Sequence, residues 1–68
     1  MTCEVTSRDT LQLTYIEGDF VSFVQELNIC AAQGKHFMIA YERGHRPIAL
    51  EIRNITVVRE VDDDAFIG

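Results

Sequence analysis

Hydrophobic and polar positions follow one rhythm at the start of this chain, a second in its middle, and the first again to the end. Met1, Cys3 and Val5 alternate with Thr2, Glu4 and Thr6, the period of two that marks a strand. Residues 1–6 therefore either pair as a first strand or form a loose arm. Ser7-Arg8-Asp9-Thr10 has turn chemistry. Leu11, Leu13 and Tyr15 then alternate with Gln12 and Thr14, which predicts a second strand from Thr10 to Ile16. Glu17-Gly18-Asp19 breaks that rhythm. Asp19 is suited to cap a helix, because its carboxylate can accept an orphan amide of the first turn and sits at the positive end of the dipole. Phe20, Phe23, Val24, Leu27, Cys30 and Ala31 follow at helical spacing as one apolar stripe, with Ile29 roughly opposite. Gly34 is placed to end the helix.

From His36 the period of two returns. Phe37, Ile39 and Tyr41 fall on one face of a strand ending near Glu42, and Met38 and Ala40 on the other. Apolar residues on both faces predict a central strand, or a second face that a partner covers. Gly44-His45-Arg46-Pro47 is the turn, where Gly44 can take positive φ and Pro47, lacking an amide, suits a sheet edge. Ile48, Leu50 and Ile52 alternate with Ala49, Glu51 and Arg53. Asn54 predicts a bulge or bend, after which Ile55 to Val61 resumes strand character, so one bent strand and two short ones fit equally well. The expectation is an α+β fold of order β(β)αβββ, one helix on a four- or five-stranded, mostly antiparallel sheet. Leu11, Leu13, Tyr15, Phe37, Ile39, Ile48, Leu50 and Ile52 would join the helix stripe in the core. Unpaired strand edges would invite strand addition or dimerisation.

Sixty-eight residues hold one small domain, with an acidic tail over 62–68. Chains this short bury only about 60% of their unfolded surface and commonly lean on a staple or a partner. With 47% hydrophobic residues the chain is too apolar to be disordered. A net charge of −5 repels phosphate and anionic lipid, so neither nucleic acid nor membrane is expected as a partner. Met1-Thr2-Cys3-Glu4-Val5 lacks the charged stretch and apolar run of a signal peptide. No apolar stretch approaches the ~20 residues that span a bilayer. Two cysteines, Cys3 and Cys30, leave one disulfide open but fall short of a secreted disulfide scaffold. A protein of a reducing cytoplasm is the reading.

Candidate chemistry is sparse. His36 and His45 have no Ser or Cys nucleophile at a recognisable spacing, so no catalytic residue is assigned. Cys30 and His36 lie six apart without C-x-x-C or H-x-x-x-H, so no metal or cofactor is expected. Gly18, Gly34, Gly44 and Gly68 are scattered, unlike the glycines of a phosphate-binding turn. What remains is binding. Ile29 and Phe66 are candidate interface residues. Tyr15, Tyr41, Arg43, His45 and Arg46 could line a ligand pocket between protomers.

The pattern from Gly34 to Val61 joins Gly34-Lys35, an apolar strand, Gly44-x-x-Pro47, Ile48-x-Leu50-x-Ile52 and Ile55-x-x-Val58. It resembles short accessory proteins encoded by bacteriophages, especially those of actinobacterial hosts. The resemblance implies a virus- or mobile-element-encoded protein that binds a host protein, or itself, in the host cytoplasm. It carries over no functional residues. Asp62-Asp63-Asp64 followed by Phe66 resembles the acidic tail of bacterial single-stranded-DNA-binding proteins, which implies docking of Phe66 on a partner, although Ile67-Gly68 here separate that ring from a terminal carboxylate. The expected function is that of a small non-catalytic protein-binding module, with an oligomeric small-ligand or nucleotide binder as the alternative.

Overall fold

The computed structural model describes residues 1–62. Its elements are β1 (Thr2–Ser7), β2 (Leu13–Glu17), α1 (Phe20–Ala32), β3 (Phe37–Glu42), β4 (Arg46–Glu51), a 3₁₀ turn (Ile52–Asn54) and β5 (Ile55–Val61). The strands form one antiparallel sheet in the order β4-β3-β2-β1-β5, so the fold is α+β. Residues 2–7 are no loose arm: β1 is paired on both sides, and Cys3 and Val5 are among its most deeply buried side chains. Phe66 and the rest of the acidic tail beyond Asp62 lie outside the described residues.

The helix begins and ends as its sequence dictates. The Asp19 carboxylate accepts from the Ser22 amide at 2.9 Å and from the Ser22 hydroxyl at 3.1 Å. At the other end Gly34 takes φ 73°. Its amide donates to the Ala31 carbonyl, and the Lys35 amide donates to that of Cys30. These paired bonds satisfy carbonyls that a helix otherwise leaves open. Phe23 and Cys30 are buried, with Phe20 and Leu27 packed beside them. Ala31 is exposed, so the stripe is one position narrower than its spacing suggests.

The sheet curls strongly, and the ladders prove it. Phe37 and Glu51 pair at one end of β3–β4, while Ile55 of β5 pairs with Ser7 near the opposite end of β1. In a flat sheet those registers would set Glu51 and Ile55 about nine residue steps apart, roughly 30 Å at strand rise. The short link between them reaches about 14 Å at most. The β3–β4 hairpin must therefore swing across the other strands, giving an open, barrel-like half-shell. Asn54 fixes that corner: its carbonyl accepts from Arg8 N at 2.7 Å and its Oδ1 from Asp9 N at 3.0 Å. The predicted bend at Asn54 is thus a helical turn between two separate strands.

The concave face holds the core of Cys3, Val5, Ile16, Phe23, Cys30, Met38 and Ala40, with Ile48, Leu50, Ile52, Ile55 and Val58 packed against it. Three strand assignments change. Phe37, Ile39 and Tyr41 are exposed, and Met38 and Ala40 point inward instead. The cause is the hairpin turn. Three residues, Arg43 to His45, separate the terminal pair Glu42↔Arg46, which sets Met38 beside Leu50 and Ala40 beside Ile48. Phe37 then shares its face with Glu51, so Phe37, Ile39 and Tyr41 cannot be inside together with Ile48 and Leu50. On β2, Ile16 is inward opposite Cys3, which turns Leu13 and Tyr15 outward. Leu11 lies outside the strand altogether, 73% exposed at φ 55° in the β1–β2 turn.

Candidate functional site

The outer, convex face divides into two regions. Along β1 it carries Glu4, Thr6 and the buried Thr2, between Leu13, Tyr15 and Glu17 of β2 and Val57, Arg59 and Val61 of β5. Over β3 and β4 it carries Phe37, Ile39 and Tyr41 beside Pro47 and Ala49. Ile39 is 69% exposed, Phe37 55% and Tyr41 50%. Leu13, also exposed, extends the apolar region onto β2. Isolated apolar residues on a surface need no explanation, but three large ones in a row on the solvent face of one strand form a contiguous apolar patch. At the outer edge of β4, Pro47 occupies a position whose amide would face away from β3, which removes a donor from that edge.

The hairpin tip is fastened by a residue the sequence did not single out. The Glu17 carboxylate, at the end of β2, accepts from the Gly44 amide at 3.2 Å and lies 3.0 Å from His45 Nδ1. The His45 amide donates to the Glu42 carbonyl at 3.0 Å. Gly44 and His45 both adopt positive φ, 86° and 60°, a costly conformation for His45 that these bonds hold in place. His45 has the carboxylate neighbour of a catalytic histidine. Its side chain is nevertheless 89% exposed, so the pair is solvated and acts as a surface clip.

The proposed pocket residues separate into different places. Tyr15, Arg43 and Arg46 do meet, around an open recess of about 250 Å³ on a single protomer, together with Gln12, Leu13 and Glu42. His45 lines a neighbouring recess with Met1, Thr2, Glu17 and Gly18, and Arg43 borders both. Tyr41 lies on the apolar outer region. Ile29 is exposed on α1 and lines neither of these recesses.

Both thiols are enclosed by the core. Cys3 and Cys30 are free and buried, so the disulfide left open by the sequence does not form. Burial pushes the Cys3 thiol above its ordinary range, helped by the negative charges of Asp19 and Glu60, and its S–H donates to the Gly18 carbonyl at 3.7 Å. A thiol held protonated is a poor nucleophile. Among the described residues no group of three His, Cys, Asp or Glu is arranged to hold a metal ion, and no helix is long and apolar enough to cross a membrane. Comparison with known proteins finds no family model, no curated protein and no solved structure that matches this chain.

Proposed function

We propose that this protein is a small non-catalytic protein-binding module that works through the apolar outer face of its β3–β4 hairpin. The observation that carries the reading is the outward projection of Phe37, Ile39 and Tyr41 from a strand whose other side is already committed to the core. A chain with so few buried side chains gains nothing in its own stability from leaving three large apolar groups in water, whereas an interface does. The partner is a host protein, or a second copy of the chain. The phage or mobile-element origin rests on the resemblance of residues 34–61 and sets that partner in a bacterial cytoplasm.

The test is affinity capture from bacterial extract together with solution mass. Wild type is expected to return one stoichiometric protein, or to self-associate, and Phe37→Ser is expected to lose that behaviour while staying folded. Ile29→Lys should leave it intact. A wild type that stays monomeric and captures nothing at high concentration sinks the reading. A second reading, binding of a small anion, is favoured by the meeting of Arg43, Arg46 and Tyr15 in one recess. It predicts that nucleotides raise the melting temperature by mass action, and that Arg46→Ala abolishes the rise.

A further inference from the structure

We propose that the slot between β3 and the start of α1 is a strand-addition site for an extended, basic segment of a partner protein. The slot exists because β2 stops early. Its ladder to β3 is a single pair, Ile16↔Glu42, after which Gly18 turns the chain out of the sheet and into the helix. β3 continues past that point through Ala40, Ile39, Met38 and Phe37, paired with β4 on one side only.

The bonding pattern says which backbone groups are left. Ile52 N donates to the His36 carbonyl, so residues 36, 38, 40 and 42 direct their amides and carbonyls toward β4. Phe37 and Ile39 consequently direct theirs to the other side, where β2 has ended. An unpaired strand edge is a template for another strand. Here it is sheltered by a helix, which gives a bound segment side-chain contacts on top of backbone pairing.

The lining defines the occupant. The slot has about 230 Å³ of space, with Ile16, Phe23, Met38 and Ala40 as its apolar floor. Its rim carries Glu17, Asp19 and Glu26, and no Lys, Arg or His lines it. Glu17 also clips the hairpin turn, Asp19 also caps the helix, and Glu26 is exposed. A strand alternates its side chains between faces, so the fitting segment alternates small apolar residues, seated on the floor, with Lys or Arg. A second copy of the chain, itself at −5, lacks that complementarity. The slot borders the outer face, since Ile39 and Tyr41 line its β3 side, but the Phe37 ring does not reach it.

The probe is a capped octapeptide of alternating valine and lysine, read by amide NMR and hydrogen exchange. Expected are free exchange at Phe37 and Ile39 without peptide and slowing by about tenfold or more with it. Glu26→Lys should weaken binding about tenfold. A peptide N-methylated at alternate residues should not bind, and Phe37→Ser, which removes the outer-face ring, should bind as wild type does. The proposal is overturned if the peptide leaves Ile39 unmoved at millimolar concentration, or if a valine–glutamate octapeptide binds equally. Concentration-dependent protection of Ile39 in the free protein overturns it too, since a second copy would then fill the slot.

Discussion

The two halves of this sheet share one core and differ on their outer surface. Along β1 itself the outer side is threonine and glutamate, flanked by Leu13, Tyr15 and Val57 on the neighbouring strands; along β3 it is phenylalanine, isoleucine and tyrosine. The β1 strand is what folding alone asks of a half-buried strand, with apolar residues inside and polar residues outside. The β3 region departs from that rule in a block, on the same strand whose inner edge is left unpaired beside the helix. Departures from local consistency gather where a protein meets something else. Side-chain stickiness and an open backbone edge thus coincide on one protruding hairpin.

The sharpest way to break this comparison uses one residue type on the two faces. Ile16, at 1% exposure, sits at the junction of both halves. Ile16→Ala should cost about 3 kcal/mol in urea denaturation. Ile39→Ala should change stability by less than about 0.5 kcal/mol. Equal losses would mean that the outer region is structural. Asp19→Ala comes next, at about 1 kcal/mol, since it strips the helix of the acceptor for the Ser22 amide. Glu17→Ala should cost less than about 1 kcal/mol, because its partner His45 is solvated, while shifting the Gly44 amide resonance and loosening the hairpin tip.

The smallest effect is a pH dependence in the core. The native Cys3 thiol is raised above its ordinary value of 9.0. Between those two values the folded form holds a proton that the unfolded form has lost, so stability falls as pH rises. The contribution is whole below pH 9 and drains away through the native value. Cys3→Ala should flatten the alkaline limb of the stability profile. An unchanged limb would remove Cys3 as its source.

Much of the fold was legible because local signals agreed. Asp19 and Gly34 bounded the helix, Asn54 marked the corner, and the period of two located each strand. Which side of β3 faced inward was not legible, because that depended on turn length. A two-residue turn at Gly44-His45 would have paired Ile39 with Leu50 and buried Phe37 and Ile39, as expected. The third turn residue reversed the strand. Glu17 and the slot were hidden for a different reason. Both arise where distant segments meet, Glu17 with the tip of a later hairpin and the slot where β2 stops short of β3, and periodicity carries no signal for either. Of the site residues read from the sequence, Tyr15, Arg43 and Arg46 border one recess and Arg43 and His45 the next, while Ile29 borders neither.

Because β5 lies against β1, the first strand of the molecule acquires its second neighbour only when the last one is present. During synthesis β1 and β2 can pair early, but Cys3 and Val5 stay wet until Val58 and its companions emerge. Such long-range closure is slow. For that interval the nascent chain offers bare strand borders to its surroundings.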